Sequence, residues 1–302
     1  MTYAIETHDL SRRFGRTEAV HALTMEVPTG SVFALLGPNG AGKTTTLKLL
    51  MNLLRPTSGT ATVLGTDTRR LEARQFERIG YVSENQRLPD WLTPRELFDY
   101  CRPLYPTWDD ELRRRLESNL ALGSNARLRT LSRGTRMKAS LLASLAYRPE
   151  LIVLDEPFTG LDPVVRDELI RGLLEVSADR PPTILISSHD IDEVERLADW
   201  VGFLRDGRFQ FAEPVASLLG RFRLVEVIAA GDSPPVLPAD PHWLPHGTAG
   251  RTLRFVDTRH DAPDAAARVA AAFPGCEIRE SPLPLRDIFV ILARASAAGV
   301  ES

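Results

Sequence analysis

At 302 residues, with 37 basic and 40 acidic side chains and a net charge of −3, the chain has length for one large domain and a smaller one, and it lacks the basic excess of a nucleic-acid surface. Its two cysteines, Cys101 and Cys276, stand far apart in apolar settings. That excludes a disulfide framework and a cysteine metal site, and reads as buried thiols in a reducing compartment. No apolar run approaches the length of a membrane span, and residues 1–14 lack the apolar centre of a secretory signal. The expectation is a cytosolic chain unless a partner holds it at a membrane. Arg113, Arg114 and Arg115, and the cluster Arg127, Arg129, Arg133, Arg136 and Lys138, read as solvated helix faces.

Residues 3–10 alternate as a half-exposed strand, and 23–27 can pair with them, with Phe14 between the two. Val32 to Leu36 is wholly apolar, as a strand buried on both faces of a parallel sheet should be. It runs into Gly37, Pro38, Asn39, Gly40, Ala41, Gly42, Lys43, Thr44 and Thr45, which fit the pattern of glycine, any four residues, then Gly-Lys-Ser/Thr. A helix over 44–54 is predicted next, with Leu47, Leu50, Met51 and Leu54 at helical spacing. A glycine-rich turn with no ligand would also match the pattern. The strand before and helix after favour phosphate binding, because amides at a helix N-terminus attract an anion. Lys43 would then reach the outer phosphates of a nucleotide, and the Thr44 hydroxyl would hold magnesium.

Residues 60–64 are predicted as a strand, 71–78 as a short helix, and 79–82 as a strand leaving through Ser83, Glu84, Asn85 and Gln86. Thr93, Pro94 and Glu96 form a capping box opening a helix that ends near Pro103. A helix over 108–122 follows, with Leu112, Leu116 and Leu120 on one face and Gly123 at the C-terminal cap. Leu131, Ser132, Arg133, Gly134 and Thr135 open a third helix, so 88–148 form a helical insert between two stretches of sheet. Residues 151–154 return to a buried strand ending in Asp155 and Glu156, and Asp162-Pro163 caps a helix with Val165, Leu169, Leu173 and Val176 on its apolar face. Residues 183–187 are another buried strand, ending at Ser188, His189 and Asp190. A helix is predicted over 191–198, with Asp190 and Glu193 as its capping pair. Strands over 200–204 and 208–211 flank the turn Asp206-Gly207. This alternation implies α/β architecture with a mostly parallel sheet over residues 1–220. Residues 221–302 read as a small α+β domain. Its strands are predicted over 223–229, 251–256 and 276–281 and its helices over 264–273 and 285–293, with a proline-rich loop over 233–245.

A phosphate loop alone leaves kinases, GTPases and ATPases open. An acid ending a buried strand beside such a loop is placed to hold magnesium, while a second can orient or deprotonate the attacking water. Asp155 takes the first role and Glu156 the second. His189 ends the next buried strand at the same sheet edge and could donate to a terminal phosphate. The ordered set resembles the ATP-binding subunit of an ABC transporter, a P-loop NTPase with an N-terminal antiparallel β-subdomain and a helical signature subdomain. The loop resembles the family's Walker A, Asp155 and Glu156 its Walker B with the catalytic glutamate, Asp162 its D-loop, and His189 its switch histidine. Residues 131–135 resemble its signature motif. Phe14 stands where the family has the aromatic that stacks on adenine; a core aromatic is the alternative for this residue.

The resemblance implies ATP and Mg²⁺, with Thr44, Asp155 and Glu84 toward the metal. It also implies a head-to-tail homodimer in which Ser132 and Gly134 of one subunit complete the other's site. The activity implied is ATP hydrolysis powering transport, with the C-terminal domain and separate permease chain pointing to export. The subunit would then lie peripherally on the cytoplasmic face of the membrane, and no nucleic-acid partner is expected. Two motifs depart from the family pattern. Arg133 and Thr135 replace its usual Gly and Gln, and Glu84 stands at the Q-loop glutamine, with Gln86 as the alternative two residues on. The competing reading is a soluble ABC-type ATPase acting on ribosomes or nucleic acid; the chain has neither the second ATPase unit nor the coiled-coil arms that those proteins carry.

Overall fold

Apolar alternation starts the first sheet, and bulges carry it further than the alternation reaches. β1 (Tyr3–Phe14) and β2 (Thr17–Pro28) pair antiparallel, with register shifts on either side of Leu10. Asp9 and Ala22 take left-handed φ of 47° and 43°, so the period-two pattern breaks while the pairing continues. Phe14 is accordingly the last residue of β1. The structure is a computed structural model and describes residues 2–84, 86–123, 125–179 and 181–298. Asn85, in the expected exit from the strand at 79–82, lies outside the described residues.

Two units each pack internally, Met1–Ala212 and Glu213–Ser302. In the first, β3 (Val32–Leu36) leads to α1 (Lys43–Leu50), then β4 (Ser58–Val63), β5 (Thr66–Asp67), α2 (Ala73–Phe76) and β6 (Ile79–Ser83). The helical insert is α3 (Pro94–Cys101), α4 (Asp110–Asn119) and α5 (Arg133–Leu145). β7 (Leu151–Asp155), α6 (Pro163–Asp179), β8 (Thr183–Ser188), β9 (Trp200–Arg205) and β10 (Arg208–Pro214) follow. One sheet has the order β2-β1-β4-β5 and is antiparallel; the other has the order β10-β9-β3-β8-β7-β6, with β9, β3, β8, β7 and β6 parallel. Leu47 and Leu50 of α1 pack in one core with Leu35, Val153 and Leu185 of the parallel sheet, all fully buried. Burying each such side chain contributes about 1.5–3 kcal/mol, which anchors α1 on the sheet and fixes the loop that precedes it.

Several helix ends follow their capping chemistry. Thr93 accepts from the Glu96 amide at 3.2 Å while Glu96 accepts from the Thr93 amide at 2.8 Å. Three expectations are corrected. α4 stops at Asn119, and Ala121 (φ 47°), not Gly123, takes the left-handed position after it. The helix expected over 71–78 is only the four residues of α2. Over 191–198 only Ile191–Glu193 form a single 3₁₀ turn, because the Asp190 amide donates to Ser188 Oγ and Glu193 is held by the same hydroxyl at 2.6 Å. The reciprocal cap therefore never closes.

The second unit contains α7 (Val215–Arg221), β11 (Arg223–Ile228), β12 (Trp243–Ala249), β13 (Thr252–Asp257), α8 (Ala265–Ala272), β14 (Glu277–Pro282) and α9 (Leu285–Ala298). Against the expected division after residue 220, α7 falls within this unit. Its antiparallel sheet has the order β12-β13-β11-β14. β12 is a strand where part of a loop was expected. It is an edge strand with a register shift between Pro245 and Gly247, the setting in which a sheet tolerates proline. Trp243, Phe255 and Phe273 pack with ring centroids 5.0–5.9 Å apart in the unit's own core.

Candidate functional site

The phosphate loop is held open by two close backbone approaches. A Cβ on Gly37 would fall 2.1 Å from the Leu204 carbonyl oxygen, and one on Gly42 would fall 2.3 Å from that of Ala19. Gly42 also has φ 104°, a conformation that side chains resist. It stands at the N-cap of α1 with no side chain to take the first-turn amides, so those donors face the loop. Lys43 is 5% exposed; its ammonium donates to the carbonyls of Gly37 (2.6 Å) and Pro38 (3.1 Å) and pairs with Glu156 Oε1 at 3.1 Å.

The parallel sheet brings the acids to this lysine, because β3, β8 and β7 are neighbours and all end at one edge. Asp155, at the end of β7, is 3% exposed and accepts at Oδ1 from Thr44 Oγ1 and Ser187 Oγ, both at 2.9 Å. Burial pushes its carboxyl above the usual range, and the two hydroxyls offset only part of that. Glu156 has φ 51°, an unusual conformation for a residue with a side chain, held by its amide donating to Ser187 Oγ at 3.0 Å. Its Oε2 accepts from Thr159 Oγ1 (2.9 Å) and lies 2.8 Å from His189 Nδ1. Burial alone would raise this carboxyl, but the His189 contact and the Lys43 ammonium overcome it and hold it below the ordinary glutamate value.

Ser187 and Thr159 are the residues that sequence reasoning missed. The signal for Ser187 was a hydroxyl ending an otherwise apolar buried strand, where an unpartnered polar group would be costly. Glu193 is also part of the setting: one ligand atom each from Glu156, His189 and Glu193 lie within 4.8 Å of one another. Those atoms already serve the hydrogen bonds that shape the loop after β8. The donor set that suits magnesium is different, a threonine hydroxyl beside a buried carboxylate, Thr44 and Asp155, which are hard oxygen ligands.

Other predicted residues occupy neighbouring positions. The Glu84 amide donates to the Asp155 carbonyl at 3.0 Å, but against the expected direction toward the metal its carboxylate turns to Arg133 at 2.6 Å, and among the described residues it has no side-chain bond to Thr44 or Asp155. Ser132 is exposed and caps α5, accepting from the Thr135 amide at 3.1 Å, with the Thr135 hydroxyl 2.9 Å away. Gly134 allows α5 to approach α6, since a Cβ there would meet Val165 at 3.0 Å. Asp162 caps α6 by accepting from the amides of Val164 and Val165, each at 3.0 Å. Phe14 is 45% exposed, with the Arg12 guanidinium 4.6 Å from its ring centre, so it is not a core aromatic. Among the described residues, no side-chain bond joins Phe14, Ser132, Gly134 or Thr135 to the Lys43–Asp155–Glu156–His189 network.

A glycine-lined loop before a helix, its lysine paired to an acid beside a second buried acid, on a mostly parallel sheet, defines a P-loop nucleoside triphosphatase. The profile of the ABC transporter family matches residues 20–159. The chain is 32% identical over 225 residues to the bacitracin transport ATP-binding protein BcrA of Bacillus licheniformis, covering 74% of each. It is 36% identical over 212 residues to the daunorubicin/doxorubicin resistance ATP-binding protein DrrA of Streptomyces peucetius, covering 68% of this chain and 64% of that one. A solved ATP-binding subunit of an ABC transporter superposes with a TM-score of 0.63 at 28% identity, covering 72% of this chain and 92% of that one. The chain belongs to the ABC transporter family as an ATP-binding subunit, and its activity is ATP hydrolysis.

Proposed function

We propose that this subunit hydrolyses Mg·ATP at sites completed by a second copy of itself, and that it powers export through a separate permease chain. The observation that carries the reading is the single network joining Lys43, Thr44, Asp155, Glu156 and His189. Lys43 would exchange its loop carbonyls for the β- and γ-phosphates, and the first-turn amides of α1 would take further phosphate oxygens. Thr44 and Asp155 would hold the magnesium ion, which when bound offsets phosphate charge. Burial makes an ionised Asp155 costly, so a cation there is the partner that its environment favours.

Glu156 stays ionised and would accept a proton from the attacking water, with Thr159 and His189 fixing its orientation. His189 Nδ1 serves Glu156, and with both ring nitrogens protonated Nε2 would donate to a terminal phosphate oxygen. Phe14, exposed at the end of β1, would stack on the adenine. Ser132, exposed at the start of α5, would act with the Gly134 backbone on the partner copy's phosphate. Asp162 would lie beside that joint as the D-loop residue. The end of the unpartnered β6 side carries a cleft of about 820 Å³ lined by Glu84, Gln86, Leu88, Trp91 and Met137, and beside it a smaller one of about 330 Å³. Trp91, lining the larger cleft, and Leu53, lining the smaller, are large apolar side chains left 63% and 57% exposed. They suit a partner protein, and we assign the surface to the permease, with Glu84 at its margin. No described helix is long and apolar enough to cross a membrane, so a membrane position would come through that partner on the cytoplasmic face.

Export is favoured by the drug-resistance and antibiotic-transport relatives. The test is affinity purification of the full chain from detergent-solubilised membranes. Recovery of an integral membrane protein whose reconstitution makes ATP-dependent transport possible is the expected result; sedimentation with ribosomes, and none with membranes, would sink the transporter reading.

A further inference from the structure

One ion pair joins two motifs that both depart from the family pattern. Arg133, the first residue of α5, places its guanidinium 2.6 Å from Glu84 Oε1. The same group lies against the segment after β7, where a Cβ on Gly160 would fall 3.0 Å from Arg133 Nη1. Glu84 follows β6 directly, and its amide is bonded to the Asp155 carbonyl at 3.0 Å. The strand end that delivers it is therefore paired with the strand end that delivers Asp155, and Glu156 is the next residue. The backbone that carries a third carboxylate is thus anchored at the strand end that carries the two acids.

The side chains of Arg133 and Glu84 are 41% and 29% exposed, so their attraction is screened and does little for stability. What the pair does is decide where a negative charge points. We propose that Arg133 is a positioning residue for Glu84. It draws the carboxylate toward the start of the signature helix and neutralises it, which allows an acid to stand beside an anion-binding site. The inference rests on the nucleotide site proposed above. Without the guanidinium, the Glu84 carboxylate would be free to swing toward Asp155 and would repel a triphosphate at the loop. Arginine suits the task because it keeps its charge at all working pH values and reaches across from a helix N-terminus. The two departures from the family pattern are then one change in charge, made twice with opposite sign.

The test is a double-mutant cycle on the full chain, read as binding of Mg·AMP-PNP at protein concentrations where the chain is monomeric. Arg133→Gln should weaken binding about tenfold, and the loss should shrink as salt is raised from 0.05 to roughly 0.5 M. Glu84→Gln should stay within about threefold of wild type, Arg133→Lys should lose less than Arg133→Gln, and Glu84→Gln/Arg133→Gln should recover most of the single-variant loss. If the double variant binds as weakly as Arg133→Gln, the pair does not position Glu84 and the proposal is overturned. Lys43→Ala is the control that separates the two claims. If it binds like wild type, the site assignment itself fails, whereas a defective Lys43→Ala with an additive cycle removes only the pairing.

Discussion

His189 Nδ1 lies 2.8 Å from Glu156 Oε2, while Lys43 sits 3.1 Å from the other oxygen of the same carboxylate. Glu156 is thus held between a ring nitrogen and an ammonium. Both favour its ionised form, the form a general base needs.

Glu156→Gln keeps the shape and removes the base. ATP binding should persist, steady-state hydrolysis should fall at least about a hundredfold, the usual size of a general-base contribution, and an ATP-bound dimer should accumulate. Gel filtration with ATP and a turnover assay check this, and near-normal turnover would remove Glu156 from its role. The sign of its stability effect also follows. A depressed carboxyl stabilises the fold above the unfolded-state value, and that contribution is lost as pH falls through the folded value.

Asp155 should behave in the opposite sense. Its folded-state carboxyl is raised, so ionisation opposes folding; stability declines as pH rises from the unfolded-state value through the folded one. Asp155→Asn should therefore raise the melting temperature of the metal-free protein at pH 7 above that of wild type. The gain should vanish well below the unfolded-state value of about 3.9, where both states are protonated. Hydrolysis should be lost together with the gain. A lower melting temperature at pH 7 would show that the hydroxyls, not desolvation, dominate.

Ser187→Ala tests a residue without a place in any motif. Its hydroxyl donates to Asp155 and accepts from the Glu156 amide, and the site is fully buried. Leaving that amide unpaired should cost about 1–3 kcal/mol of stability. Release of the left-handed Glu156 should lower kcat more than it changes KM for ATP. Chemical denaturation and steady-state kinetics measure the two effects separately; a change in KM alone would place Ser187 in binding.

Phe14→Ala removes an exposed ring, so the melting temperature should hold to within a degree or so of wild type, as is usual for surface sites. ATP affinity should fall about five- to tenfold, the loss of one stacking contact of ~1 kcal/mol, while inorganic triphosphate affinity should not change. Equal losses for both ligands would argue against adenine stacking.

Much of the site was legible because its chemistry sits in contiguous residues. Gly37 to Thr45, the acid pair after Leu154, and His189 after an apolar run each announce themselves through local pattern, as do the caps at Thr93, Ser132 and Asp162. The elements that were misjudged were decided by distant partners. β1 continues past its alternation because bulges keep it paired to β2, and β12 exists despite its proline because β13 supplies its one neighbour. The helix expected after His189 shrinks to one turn because Ser188 claims both of its capping groups.

What the sequence determined by itself was the class of ligand and the groups proposed to meet it, since a phosphate loop needs glycines, a lysine and a hydroxyl in one short order. Only the tertiary structure decided how those groups are charged and aimed. Sheet order brought Thr44 and Ser187 to Asp155, and Lys43 and His189 to Glu156, so that the two adjacent carboxyls are shifted in opposite directions. It also made Ser187 their common partner and turned Glu84 toward Arg133. Such outcomes depend on burial and on neighbours distant in the chain, which no local pattern encodes.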